Sequence, residues 1–97
     1  MATTLIAQYQ AATSDQTFIQ RVEMAMLQTC NNLSSEAASV INHTNRMALM
    51  KAATNAPETW APQFAKLVAS NGIDSASTDA QIQGQISSSW NAMAGMD

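Results

Sequence analysis

The stretch "SDQTFIQRVEMAMLQTCNNL", residues 14–33, constrains the fold more than any other part of the chain. At about 100° per residue, Phe18, Ile19, Val22, Ala25, Met26, Thr29, Cys30 and Leu33 fall on one broad face. Gln20, Arg21 and Gln28 fall on the opposite face. This period is that of a helix and not of a strand, whose faces alternate at every second residue. Ser14 or Asp15 is placed to cap the start, and Asp15 also suits the positive end of the helix dipole. Asn31, Asn32, Ser34 and Ser35 mark the end, which gives a helix over 15–33. Such a one-sided helix needs apolar partners, and the rest of the chain must supply them.

The remaining segments are also helical in pattern. Leu5 and Tyr9 lie one turn apart in a segment over 4–12, which is too short to stand alone and has to dock. A helix over 39–54 carries an apolar arc of Val40, Ile41, Thr44, Met47, Ala48 and Ala52. Pro57 disfavours helix at Ala56, so this helix stops by Asn55. In "APETWAPQFAKLVASNGI", a helix beginning at Pro57 would enclose Pro62 and lose a backbone bond. A start at Trp60, capped by Thr59, avoids that loss and predicts a helix over 60–70. Its apolar face holds Trp60, Ala61, Phe64, Leu67 and Val68, and Gly72 with Ile73 closes it. Thr78 and Gln81 form a capping box for a last helix over 79–93, with a stripe of Ile82, Ile86, Ser89, Trp90 and Met93. The tail "AGMD" frays or docks on a neighbour. With no strand pattern, repeat or long linker, the 97 residues predict one all-α domain, a compact bundle of five helical segments.

Composition narrows the function classes. Charged residues are 11% of the chain, against about 25% in an ordinary soluble domain. Ser, Thr, Asn, Gln and Ala take their place, which suits a domain held against neighbours as well as a small neutral helical domain without a special partner. The net charge is −3, and Arg21, Arg46, Lys51 and Lys66 are scattered, so nucleic acid is not expected as the main partner. Cys30 is the single cysteine, which rules out an internal disulfide and a cysteine-based zinc cage. No apolar run reaches the roughly 18 residues of a membrane span. The start "MATTLIAQYQ" lacks the basic opening and apolar core of a secretory signal, so synthesis in a cytoplasm is expected.

"INHTNRMALM", residues 41–50, contains the single histidine, His43, and Arg46, with Asn42 and Asn45 beside them. A general base needs an orienting acid and a nucleophile. The nearest carboxylate in sequence is Glu36, and no Ser-His-Asp or Cys-His pattern is present. His43 is placed at the edge of the apolar arc as a structural polar residue. Arg46 points away from the core, and Asn42, Asn45 and Arg46 either fix the helix start or hold a neighbour's carbonyls and carboxylates. No metal-binding spacing of the His-x-x-x-His or Glu-x-x-His kind occurs, and no metal, cofactor or small-molecule substrate is expected. Met24 and Leu27 break the polar face of the first long helix, as a contact surface or as ordinary scattered exposure. Met26, Met47 and Met93 fall on core stripes, and Trp60 and Trp90 read as core anchors.

The order "RVEMAML", "NHTNRMALMKAA", "NAP", "LVASNG" and "TDAQIQGQI" resembles a group of short all-helical proteins encoded among the virion genes of tailed bacteriophages. In that group an Asn-His-x-Asn-Arg stretch leads into a helix, an Asn-Pro-type break follows, and an Asp-x-x-Ile-Gln segment opens the last helix. The likeness covers about residues 14–94, and Asn42, His43, Asn45 and Arg46 are its most specific part. The "NAP" break and the additional Pro62 depart from the pattern. The resemblance implies a non-enzymatic virion component of head, neck or tail, bound to other virion proteins and to copies of itself. The alternatives are a cytoplasmic helical adaptor or regulator with one protein partner, and a small hydrolase or metal enzyme, disfavoured by the missing constellation, that would lose activity on His43→Ala while keeping its fold.

Overall fold

The computed structural model describes residues 15–95. Four helices follow in order: α1 (Gln16–Ser34), α2 (His43–Asn55), α3 (Pro57–Ser70) and α4 (Asp79–Gly95). There is no strand among the described residues. The expected segment over 4–12, and the last residues of the "AGMD" tail, lie outside them.

Helix α1 forms as its stripe requires. The Asp15 side chain accepts the backbone N–H of Thr17 at 2.9 Å and of Phe18 at 3.3 Å, satisfying two donors that the first turn leaves free. Phe18, Val22, Met26 and Leu33 are buried, and Cys30 packs half-buried against the core. Helix α3 ends with Gly72 at φ +89°. Ile73 N–H returns to Val68 C=O and Gly72 N–H to Ala69 C=O, each at 3.0 Å, closing the orphan carbonyls as the "SNGI" pattern predicts. The capping box of α4 is present: Thr78 N–H donates to Gln81 Oε1 at 2.8 Å and Gln81 N–H to Thr78 Oγ1 at 3.1 Å.

Two boundaries correct the sequence reading. Helix α3 starts at Pro57, not at Trp60, and it encloses Pro62. Pro57 occupies the first helical position, where a missing N–H costs nothing and the fixed φ favours the helix. The carbonyl that Pro62 leaves without a donor belongs to Glu58, an exposed residue, so the lost bond need not leave a buried group unpaired. Helix α2 starts at His43, not at 39. Residues 37–43 instead form two successive turns, with Val40 N–H bonded to Ala37 C=O and His43 N–H to Val40 C=O, each at 3.0 Å.

The helices close around one core. Arg21 meets Asp79, and Thr29 meets Ser87, so α1 and α4 run parallel. The first turn of α2 lies against the last turns of α4, where Asn45 reaches the Ala94 carbonyl. Phe64 of α3 stacks on Trp90 of α4 with ring centroids 5.0 Å apart and planes 9° apart. Trp90 is fully buried, as expected of a core anchor, whereas Trp60 is half-buried and stacks on Phe64 from outside at 5.9 Å. Alanines at 53, 61, 65 and 69 are all buried and let α2 and α3 approach the aromatic centre closely.

The arc of α2 is rotated from the expected one. Its buried residues are Arg46, Met50 and Ala53, with Met47 and Leu49 partly buried. Val40, Ile41, Thr44, Ala48 and Ala52 are exposed. Alanine and methionine occur on both sides of this helix, so apolar character alone does not orient it. An arginine in the core-facing row is tolerated because its charge is matched there.

Candidate interaction site

The polar centre of the molecule is built by the segment 35–42 and the first turn of α2. Arg46 is 6% exposed, against the expectation that it points outward. Its Nη1 donates to Glu36 Oε2 at 2.9 Å and its Nη2 to Glu36 Oε1 at 2.5 Å, a fork matched to both carboxylate oxygens. Nη2 also donates to the Ile41 carbonyl at 2.7 Å. A helix starting at 39 would have given that carbonyl to Asn45 N–H, so the guanidinium takes the place of a helical turn. Backbone and side chain thus use the same residue: the Arg46 carbonyl accepts the Trp90 indole N–H at 3.1 Å, linking the clamp to the buried centre.

Asn42 sits at φ 61° and ψ 14°, the left-handed region, where asparagine is one of the few non-glycine residues at home. Its side chain makes no cap bond, but its carbonyl accepts Arg46 N–H at 2.9 Å. Asn45 donates to the Ala94 carbonyl at 3.4 Å, near the end of α4. His43 lies at the edge of the core, as the sequence suggests. Its Nδ1 is 3.7 Å from Glu36 Oε1 and has no hydrogen-bond partner among the described residues.

The Arg46 hydrogen bonds, against some opposing desolvation, hold the Glu36 carboxyl below its ordinary value. A carboxylate held ionised in this way is a poor proton acceptor, so the cluster favours fastening over acid–base work. The sequence named Glu36 as the one carboxylate near His43. The structure keeps it beside His43, at 3.7 Å, and also pairs it with Arg46; only the left-handed preference of Asn42 hinted that the helix would start late enough to allow this.

The clamped segment displays apolar side chains. Ile41 is 80% exposed and Val40 is 41% exposed. Both border a shallow cleft of about 310 Å³ shared with Asn42, Arg46 and Asn91. Sequence reasoning placed these two residues in the core and missed them as surface. Met24, at 70%, and Leu27, at 51%, are exposed as expected. Met24 borders a separate groove of about 330 Å³ between α1 and α4, which ends at the Arg21–Asp79 ion pair. The structure therefore does not gather the candidate contact residues into one patch: Met24 and Leu27 lie on α1, and Asn42, Asn45 and Arg46 lie at the α2 entrance.

Among the described residues, no group of three His, Cys, Asp or Glu side chains is placed to hold a metal ion, and no helix is long and apolar enough to cross a membrane. In comparisons with known proteins, no family model matches the chain, and neither a curated protein nor a solved structure matches it.

Proposed function

We propose that this chain is a non-enzymatic structural component of a tailed-phage virion, acting through contacts with other virion proteins and with copies of itself in a symmetric assembly. The observation that carries this reading is the clamp: a buried arginine holds a short segment in place, and that segment presents Ile41 to solvent. A preformed apolar display of this kind loses little conformational entropy when it docks, which favours contact-making. The surrounding surface is polar but sparsely charged, so covering it requires little charge desolvation. Of the residues that carry the resemblance to phage virion proteins, Arg46 clamps this segment and Asn42 turns it into α2, with His43 and Asn45 beside them.

Peptide mass spectrometry of purified particles of the encoding phage tests the proposal. The chain is expected at a copy number that fits a ring or shell symmetry. Its absence from particles overturns the reading.

A further inference from the structure

The end of α3 carries a reactive pair of residues. Asparagine is a chemically labile side chain. It reacts when the backbone nitrogen of the next residue reaches its amide carbon. Of the chain's asparagines, Asn71 alone precedes a glycine. A Cβ on the next residue crowds the attacking nitrogen, and Gly72 has none. Asn71 and Gly72 are both exposed, so water and hydroxide reach them. Beyond its chain neighbours, no atom lies within 4 Å of where a Cβ on Gly72 would stand. Asn31, Asn32, Asn45 and Asn91 lie inside helices, where the next nitrogen is tied into the backbone ladder. At α3 the restraint is only one turn deep. Asn71 Nδ2 donates to the Leu67 carbonyl and Gly72 N–H to the Ala69 carbonyl, each at 3.0 Å. Both bonds belong to the last turn, where helices open most readily. Ile73, half-buried against the core, holds this turn shut.

We propose that Asn71 is a self-modifying position, converted to aspartate and isoaspartate through its own backbone whenever the last turn of α3 opens. In the open turn the Gly72 nitrogen attacks Asn71 Cγ. The new C–N bond closes a cyclic imide, the Gly72 amide proton passes to hydroxide, and Nδ2 leaves as ammonia. Water then opens the ring at either carbonyl. Opening at Cγ gives aspartate in the normal chain, and opening at the main-chain carbonyl gives isoaspartate. The sum is one water taken up and one ammonia released, with no oxidant or reductant. Either product makes the chain one charge more negative than its −3. That charge stands at the C-terminal end of α3, where the helix dipole is already negative. Aspartate has no amide to donate, so the Leu67 carbonyl keeps only the Ser70 hydroxyl, at 2.6 Å. Isoaspartate adds a carbon to the main chain before Gly72, which draws Gly72 N–H from Ala69 and Ile73 N–H from Val68. Conversion therefore loosens the turn that restrained it. This holds or fails independently of the virion reading.

The test follows the full chain in warm, mildly alkaline buffer, with peptide mass spectrometry placing each conversion and chromatography separating the two isomers. Asn71 is expected to convert ahead of every other asparagine and to give both products. Ile73→Ala, checked for native helicity by circular dichroism, loosens the closure. It is expected to convert Asn71 roughly tenfold faster, the factor that about 1.4 kcal/mol of easier opening gives. Thr29→Val weakens the packing of another helix pair and is expected to leave the Asn71 rate unchanged. The wild type unfolded in urea sets the unrestrained rate, which is expected to exceed the folded one, and this comparison stands even if Ile73→Ala does not fold. Another asparagine converting first, aspartate without isoaspartate, or equal folded and unfolded rates overturns the inference. So does a folded Ile73→Ala that converts at the wild-type rate. Equal acceleration by Ile73→Ala and Thr29→Val would assign the opening to global unfolding and overturn the local gate.

Discussion

Arg46 and Glu36, ten positions apart in sequence, close a loop through two parallel hydrogen bonds, and the same guanidinium holds the Ile41 carbonyl. The turns over 37–43, the late start of α2 and the outward position of Ile41 all depend on this one side chain. Arg46→Ala is expected to destabilise the fold by about 2 kcal/mol, through lost stem packing and an Ile41 carbonyl left without its donor. Urea unfolding checks it. Arg46→Lys should recover only part of the loss, since an ammonium cannot serve both carboxylate oxygens in a fork. Equal stability of Arg46→Ala and wild type would remove the clamp from the account of this fold.

The Glu36 carboxyl is held below its ordinary value of 4.5, first by the Arg46 hydrogen bond. A group whose folded pKa is lowered contributes stability that is present above the unfolded value and lost as pH falls through the folded value. The stability gap between wild type and Glu36→Gln is therefore expected to be constant near neutrality and to shrink below about pH 4.5. Comparing the two proteins at each pH cancels the other carboxylates. A gap that widens on acidification would contradict the assigned direction.

Asn42 carries the left-handed turn into α2. Glycine adopts that conformation freely and alanine does so at a cost of about 1 kcal/mol. Asn42→Gly is expected to leave the melting temperature nearly unchanged, whereas Asn42→Ala should lower it measurably. The same ranking is expected in the mobility of the loop, read from amide exchange at residues 37–43.

Between α1 and α4 a small polar cluster fixes the register of two parallel helices. Gln83 Nε2 donates to Thr29 Oγ1 at 2.9 Å and lies 3.2 Å from Ser87 Oγ, while Thr29 Oγ1 donates to the Ala25 carbonyl at 2.9 Å. Thr29 is 4% exposed. Thr29→Val keeps the shape but leaves the Gln83 amide only its longer bond to Ser87 Oγ, at a cost of about 1 kcal/mol. Adding Gln83→Leu should recover most of the loss, because both partners are then apolar. A double variant no more stable than Thr29→Val would show that the cluster contributes through shape rather than hydrogen bonding.

The fold class was legible because α1 has a strong stripe and because the caps are local. Asp15, the Gly72–Ile73 closure and the Thr78–Gln81 box each satisfy nearby backbone groups, so sequence spacing is enough to find them. The α2 region was not legible in the same way. Its orientation is set by Glu36 pairing with Arg46, and by Trp90 reaching the Arg46 carbonyl from 44 positions away. Periodicity assigns a lone arginine to solvent, and it does not see a counter-charge brought in by a loop. Pro62 misled for another reason: the lost backbone bond was legible, but not that the carbonyl it frees belongs to Glu58, which is exposed to solvent.

Met24 and Leu27 offer a separation of folding from contact. Both are more than half exposed on α1, so replacing them removes little buried area. Met24→Ser and Leu27→Ser are each expected to change stability by under about 0.5 kcal/mol, as surface substitutions away from special features do. Both proteins should therefore fold and accumulate as the wild type does. If this face meets a neighbour in the particle, the paired variant will be depleted from purified particles although its melting temperature is unchanged. Quantifying the chain per particle by mass spectrometry, beside thermal melts of the pure variants, reads the two effects apart. Full incorporation of the paired variant would leave Met24 and Leu27 as ordinary exposed side chains, and would shift the search for contacts to the Ile41 face.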